Sequence, residues 1–120
     1  MQLTQDQYDE IVMNLVVEGG NARSLAMEAI QAAKKGDFAQ ADQRMKECEE
    51  ALVEAHNTQT EMIQAEICGD HIPVMLLMVH AQDHLMDAMV VKDLAAEIID
   101  LYRVRGQGTA ALPGAETSMN

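Results

Sequence analysis

The strongest local structural signal in the sequence is Lys34-Lys35-Gly36-Asp37-Phe38-Ala39-Gln40-Ala41, where one helical pattern stops and the next begins. A glycine just past a helix end accepts the left-handed backbone that a side chain resists, and an aspartate after it can cap the following helix. The lysine pair before the glycine suits the negative end of a helix dipole. The same pair of residues recurs at Gly69-Asp70, so the chain is predicted to form three helices of similar length.

The predicted helices cover residues 5–35, 38–68 and 72–104, and they form one domain over residues 1–105. Thr4 to Gln7 fits a capping box at the first start, and Pro73 is placed in the first turn of the third helix, where proline is tolerated. The short connections make successive helices antiparallel. Residues 106–120 are rich in small and polar side chains and are predicted to be a disordered tail.

Apolar residues recur at alternating steps of three and four along each segment, which is the period of helices packed in a left-handed bundle. We call the residues with this spacing the seam of a helix. The seam of the first helix consists of Tyr8, Val12, Leu15, Gly19, Ala22, Ala26, Ala29 and Ala33. The seam of the third helix consists of Leu77, His80, His84, Asp87, Val91, Leu94, Ile98 and Leu101. The predicted fold class is therefore all-α, an antiparallel three-helix bundle. Gly19-Gly20 lies inside the first helix and predicts the close approach of a neighbouring helix, because each glycine there costs about 1 kcal/mol relative to alanine.

The amino-acid composition favours helices, and the net charge disfavours some classes of binding partner. Hydrophobic residues make up 48% of the 120 positions, yet aromatic residues make up only 2%. The formal net charge of −12 argues against nucleic acids and anionic membrane surfaces as partners. The polar N-terminus does not resemble a secretory signal, and the longest apolar run, Ile72 to Val79, is too short to span a bilayer. We therefore expect no membrane insertion and a cytoplasmic location.

The most informative stretch for function is Val79-His80-Ala81-Gln82-Asp83-His84-Leu85-Met86. On a helix, Asp83 and His84 follow His80 by three and four residues, so the three side chains project from one side. The residues alone leave three interpretations open. In the first, the histidines are hydrogen-bonded side chains that take part in no reaction. In the second, the cluster binds zinc or another transition metal. In the third, a neutral imidazole attacks phosphorus.

This motif, on the third helix of a chain of this size, resembles the enzyme IIA component of the lactose/cellobiose family, which includes the N,N'-diacetylchitobiose branch, of bacterial phosphoenolpyruvate-dependent sugar phosphotransferase systems. Further matches are Gly-Asn-Ala-Arg-Ser-Leu at 20–25, Gly-Asp-Phe at 36–38, Glu-Ala-His at 54–56 and Gln-Thr at 59–60. The resemblance covers residues 8–104.

The resemblance implies a phosphotransferase component in which His80 accepts a phosphoryl group on Nε2 from phospho-HPr and passes it to a cysteine of the cognate enzyme IIB. The process served would be uptake of a disaccharide of the lactose, cellobiose or chitobiose type. His84 and Gln82 would have supporting roles, although a solvated Gln82 is the simpler expectation. The resemblance also implies a homotrimer of nine helices. In it, Asp83 of each chain would meet its copies around a divalent cation, Mg²⁺, because converging carboxylates repel one another unless a cation neutralises them.

The alternative function is a helical metal-binding or interaction module with His80, Asp83 and His84 as ligands. A histidine phosphotransfer domain of a two-component relay is a weaker alternative. Such domains usually carry a lysine and a glycine soon after the histidine and form a four-helix bundle, whereas Ala81, Gln82 and Asp83 follow here. Which sugar is imported cannot be predicted, since the carrier does not touch the sugar.

Overall fold

The computed structural model describes residues 3–111 of the chain, with side chains up to residue 106. Three α-helices make up most of this part: α1 over Gln5–Lys34, α2 over Phe38–Ile67 and α3 over Leu76–Ala111. No strand occurs among these residues. The predicted all-α class and the number of helices are therefore confirmed. The helices form a rod that measures 65 × 23 × 21 Å.

The glycine of each Gly-Asp pair follows the end of a helix as predicted, but the N-cap predicted at Asp70 is wrong, because α3 begins only at Leu76. Gly36 has a φ of +81° and Gly69 a φ of +92°, which is the left-handed region that glycine enters without strain. After α1, the Asp37 N–H donates to the Ala32 carbonyl at 3.0 Å, which is the longer-range bond of a Schellman motif. Asp37 then caps α2 by accepting from an N–H of its first turn. The capping box over Thr4–Gln7 is also present.

The third helix begins at Leu76, four residues later than predicted, because residues 70–75 are not helical. Pro73 has no N–H to give to a helix, and it disfavours helical backbone in the residue before it. Its carbonyl instead accepts a hydrogen bond of 2.8 Å from the Tyr8 hydroxyl, which fastens this segment to α1. The predicted start at residue 72 was wrong for this reason.

The same helix continues to Ala111, past the predicted end at residue 104. Residues 106–111 are therefore helical, although the composition predicted disorder from residue 106 onward. Extending an existing helix fixes only one residue for each new hydrogen bond, so a long helix can run through glycines that would not start one. The rest of the predicted tail, residues 112–120, lies outside the described residues.

The core lies around α1, which packs against both α2 and α3, whereas α2 and α3 contact each other less. Every residue of the seam predicted for α1 is buried. The largest side chains with almost no exposure are Leu15, Leu85, Val12 and Cys48. Burial raises the pKa of the Cys48 thiol. α1 and α3 run parallel, since Tyr8 contacts Pro73 near their N-terminal ends while Ala33 and Ile99 share a cluster further along.

The seam predicted for α3 is wrong by one residue. The buried residues of this helix are Met78, Ala81, Leu85, Ala88, Ala95 and Ile99. Members of the predicted seam face outward, with Leu94 57% and Leu101 70% exposed. A shift of one residue is a rotation of about 100° around the helix axis. This rotation moves His80 from the predicted core to the surface.

Gly19 lies at the closest approach of α1 to α3. A Cβ added there would stand 3.2 Å from the carbonyl carbon and oxygen of His84, and 3.3 Å from the amide nitrogen of Leu85. A Cβ at Gly20 would meet no other atom within 4 Å. The predicted close approach is confirmed at Gly19 and does not involve Gly20. The contact fixes the backbone of α3 one turn after His80.

Candidate functional site

The candidate site is centred on two histidines one turn apart on α3. His80 is exposed and His84 is half-buried. Their Nε2 atoms are 2.9 Å apart, and the rings meet edge to face with centroids separated by 4.3 Å. At this separation one Nε2 donates its proton and the other accepts, because a neutral imidazole has one N–H and one bare nitrogen. At least one ring of the pair therefore carries its proton on Nδ1 and presents a lone pair at Nε2.

The backbone beneath this pair is held firmly. Ala81 and Leu85, the residues that follow each histidine, are fully buried and point into the core. The carbonyl group of His84 also packs against Gly19 of α1. A side chain can be placed accurately when its helix is packed in this way, so the exposed imidazole of His80 stands on a rigid support.

Gln82 is a structured residue and not the solvated glutamine that the sequence favoured. Its Oε1 accepts a hydrogen bond of 2.6 Å from Nε2 of Gln59, and its own Nε2 donates to Sδ of Met78 at 3.5 Å. The sequence patterns did not predict that Gln59 lies beside Gln82. A signal was available, because a glutamine occupies a seam position of α2 between Ala55 and Met62, where an apolar residue is expected.

Asp83 lies on an exposed strip of α3 that we call the outer seam. The outer seam consists of Leu76, Val79, Asp83, Met86 and Val90. These residues are spaced by steps of three and four, the period of a helix that packs against another helix. Leu76 is 87% exposed and Val90 is 57% exposed, so nothing in the described chain covers the strip. This apolar face does not amount to a membrane span, since no helix in the described part of the chain is long and apolar enough to cross a bilayer.

The predicted ligand set does not form a metal site within one chain. Among residues 3–106, no three His, Cys, Asp or Glu side chains are grouped closely enough to hold an ion. His80 and His84 contact each other through their Nε2 atoms. Asp83 offers a carboxylate, which suits a hard cation such as Mg²⁺, so a metal held there would need ligands from other copies of the chain.

The surroundings of the site contain no cationic side chain from its own part of the sequence. No lysine or arginine occurs between Lys46 and Lys92, and this segment contributes His80, Gln82, Asp83 and their neighbours on α2. A negatively charged group at His80 would therefore meet no lysine or arginine from this segment, and the carboxylate of Asp83 lines the same surface.

Comparison with known proteins gives consistent matches. A family model described as the PTS system, Lactose/Cellobiose specific IIA subunit, matches residues 10–103. The lichenan-specific phosphotransferase enzyme IIA component of Bacillus subtilis is 53% identical over 97 residues, which cover 81% of this chain and 88% of that protein. The crystal structure of the cellobiose-specific enzyme IIA from Bacillus anthracis has a TM-score of 0.79 at 48% identity, and the match covers 88% of this chain and 95% of that one. The solution structure of the IIA(chitobiose)–HPr complex of Escherichia coli has a TM-score of 0.70 at 42% identity, with 82% and 95% covered.

Proposed function

This chain belongs to the lactose/cellobiose-specific IIA family of the sugar phosphotransferase system, and from that premise we propose that it carries a phosphoryl group on His80. The donor is phospho-HPr and the acceptor is a cysteine of the cognate enzyme IIB. The single observation that supports this role best is the exposed imidazole of His80, whose Nε2 lies 2.9 Å from Nε2 of His84. HPr as the donor is supported by the matched relative, which is a IIA bound to HPr.

The transfer uses neutral His80 with its proton on Nδ1. The Nε2 lone pair attacks the phosphorus of phosphohistidine in HPr, and the N–P bond of the donor breaks as the new N–P bond forms. The donor imidazole leaves with the electron pair of its broken bond. In the second transfer, a thiolate of enzyme IIB attacks the same phosphorus, and the electron pair returns to Nε2 of His80. Atoms and charge balance in both steps without a metal or a redox partner.

His84 supports the nucleophile in this scheme. When His80 has a bare Nε2, the proton between the two rings belongs to His84, and its N–H donates to that lone pair. This hydrogen bond favours the tautomer of His80 that is bare at Nε2, and it breaks as the same lone pair attacks phosphorus. Once Nε2 is bonded to phosphorus, the N–H of His84 is close enough to donate to a phosphoryl oxygen instead.

The outer seam supports assembly as a homotrimer of nine helices. A strip with a period of 3.5 residues is expected to pack against copies of itself, because an exposed apolar strip is costly in water. Asp83 lies in the middle of this strip, so parallel copies of α3 would bring their Asp83 carboxylates together. A divalent cation, Mg²⁺, would neutralise the converging charges, with Asp83 of each chain as its protein ligand. In this role Asp83 takes no part in phosphoryl transfer.

The sugar is proposed to be a disaccharide of the lactose, cellobiose or chitobiose type. The matched relatives are named for lichenan, cellobiose and chitobiose, although their folds and sequences are alike. The site on α3 contains a nucleophile and donors for an anion, and it has no part that would recognise a sugar ring. The choice of sugar therefore belongs to other components of the system.

The experiment that tests the carrier function supplies the protein with phosphoenolpyruvate, enzyme I and HPr. We expect one phosphate per chain that is stable in base and labile in acid, and none in His80→Ala. His56→Ala is the matched control, because His56 is an exposed histidine on α2 and its variant should be labelled fully. A His80→Ala protein that still acquires acid-labile phosphate would refute the assignment. Tight zinc binding without phosphorylation would favour the metal-binding module instead.

A further inference from the structure

Arg23 is an exposed arginine on α1 that has no hydrogen-bond or ion-pair partner among the described residues. It is the first lysine or arginine of the sequence, and the next is Lys34. By contrast, Arg44 and Arg103 each form an ion pair that joins two helices. Arg23 therefore contributes no ion pair to the fold, and its position decides what else it can meet.

Arg23 lies one helical turn beyond the point where α1 touches the histidine pair. A Cβ on Gly19 would stand 3.2 Å from the carbonyl group of His84, and α1 and α3 run parallel. Arg23 follows Gly19 by four residues, which is about 6 Å along the axis and a rotation of about 40°. A long side chain on a helix leans back toward the N-terminal end. The guanidinium group of Arg23 can therefore reach the level of His84.

Arg23 and the histidine pair also share one side of the α1–α3 pair, the side away from α2. On α3, Gln82 accepts a hydrogen bond from α2, and His80 is rotated from it by about 160°. On α1, Asn14 faces α2, because it lines a pocket together with residues of that helix. Arg23 follows Asn14 by nine residues, a rotation of about 180°. The arginine and the histidines therefore project from the surface opposite α2.

The position of Arg23 matters because the site has few other donors for an anion. The segment from Glu47 to Val91 contains no lysine or arginine, and α1 contains none before Arg23. A guanidinium group presents a planar set of N–H donors that matches phosphoryl oxygens. Positive groups that contact these oxygens during transfer stabilise the transition state.

The interaction should be weak in the free carrier and strong in its complexes. In the free phosphorylated protein, the phosphoryl group on His80 and the side chain of Arg23 would both be exposed to water, where an ion pair contributes little. A docked partner excludes water from the surface around His80, and opposite charges attract more strongly in such an environment. Because Arg23 has no other partner, no ion pair must break before it moves to the phosphoryl group.

We propose that Arg23 is a catalytic residue of the carrier, whose guanidinium donates hydrogen bonds to the phosphoryl oxygens while the group moves between His80 and a docked partner. The covalent steps are those of the proposed function, and Arg23 keeps all of its protons throughout. It lowers the barrier to forward and reverse transfer alike, and it leaves the stability of the free phosphorylated protein unchanged. This role rests on the proposed carrier function.

The test compares Arg23→Gln with the wild type in phosphoryl exchange with HPr. The readouts are the rates of transfer from phospho-HPr and back to HPr, at limiting and saturating concentrations, and the half-life of the isolated phosphorylated protein. We expect Arg23→Gln to lower both saturated rates by roughly tenfold to a hundredfold, the effect of a hydrogen bond to a charged group. The ratio of the two rates, the KM and the half-life should not change. Arg23→Lys, which keeps the charge without the planar fork, should recover part of the rate.

Lys46→Gln is the matched control. Lys46 is exposed on α2 and has no partner among the described residues, so this variant loses the same charge. Lys46 lies about 20 Å along α2 from Gln59, the residue that contacts the helix of His80. The control should therefore exchange phosphate at the wild-type rate.

Wild-type saturated rates in Arg23→Gln would overturn the proposal. A loss confined to limiting HPr would also overturn it, because Arg23 would then act in docking. A change in the half-life would do the same, because Arg23 would then hold the phosphoryl group in the free carrier. Arg23→Ala, with a strong helix former, repeats the measurement if Arg23→Gln does not fold. A wild-type protein that takes no phosphate on His80 would refute the carrier function itself, whereas unchanged rates in a phosphorylated variant refute only the role of Arg23.

Discussion

The close approach at Gly19 predicts that two adjacent glycine-to-alanine substitutions have different effects on stability. Alanine raises helix propensity by about 1 kcal/mol at either position, since both lie inside α1. At Gly20 the new methyl group meets no atom within 4 Å, so Gly20→Ala should stabilise the protein by about 1 kcal/mol. At Gly19 it stands 3.2 Å from the backbone of His84, closer than ordinary contact. The neighbour is backbone and not a flexible side chain, so α3 itself must move.

Overpacking of this kind costs about 1–3 kcal/mol, which cancels or exceeds the gain in helix propensity. We therefore expect Gly19→Ala to be less stable than Gly20→Ala by about 1–3 kcal/mol. Urea unfolding followed by circular dichroism, at one protein concentration, measures this difference directly. The two variants share the change in propensity, so their difference isolates the contact with α3.

The same pair should differ in function. A shift of α3 at His84 displaces the histidine pair, so Gly19→Ala should slow phosphoryl transfer from phospho-HPr, whereas Gly20→Ala should match the wild type. Equal stabilities for the two variants, or a Gly19→Ala protein more stable than Gly20→Ala, would refute the inferred packing of α1 on α3.

Three further predictions concern the trimer, the register of α3 and the buried thiol. In the proposed trimer, Asp83→Leu removes the converging charges, so light scattering should detect a trimer that survives EDTA. A variant that is monomeric with and without EDTA would refute the role of Asp83. Leu85→Ala, in the core, should lower the free energy of unfolding by about 2–5 kcal/mol. Leu77 is about half-exposed, so Leu77→Ala should lower the free energy of unfolding much less in the same chemical-denaturation assay. Equal losses in the two variants would support the buried face first predicted for α3. Burial raises the pKa of the Cys48 thiol, so its contribution to stability is complete below the unfolded pKa of about 8.5 and is lost as pH rises through the higher folded value. The free energy of unfolding should therefore fall more steeply above that pH in the wild type than in Cys48→Ala, and parallel pH profiles would contradict this.

The sequence predicted α1 well because its apolar and small residues follow steps of three and four without a break from Tyr8 to Ala33. Its seam from Tyr8 to Ala33 is buried as predicted, and the breaks at Gly36 and Gly69 have the backbone that their Gly-Asp pairs indicated. These features depend on neighbouring residues along the chain, so local patterns are enough to identify them.

The register of α3 could not be predicted in the same way because this helix has two apolar faces. One face, which includes Met78 and Leu85, packs against its own chain, and the other includes the exposed Leu76 and Val90. Periodicity detects both faces and does not say which one is internal. The predicted seam mixed the two, and it placed His80 in the core although the histidine is exposed.

Within the site, spacing predicted one contact and missed another. His80 and His84 are four residues apart, and their rings meet as helical geometry requires. The hydrogen bond from Gln59 to Gln82 joins two helices across 23 residues of sequence, and no local pattern encodes such a pairing. The only sign of this hydrogen bond in the sequence is Gln59 itself, a polar residue at a position of α2 where an apolar one is expected.

The lack of lysine and arginine from Glu47 to Val91 has a consequence for the energetics of the proposed phosphoryl transfer. Fixed cations around a phosphohistidine would stabilise the phosphorylated protein. They would therefore slow the transfer of the phosphoryl group to an acceptor. In the proposed carrier, the phosphoryl group would be held by donors such as the N–H of His84 and by no lysine or arginine from this segment. Under the proposed function, such a protein would pass the phosphoryl group on and not store it.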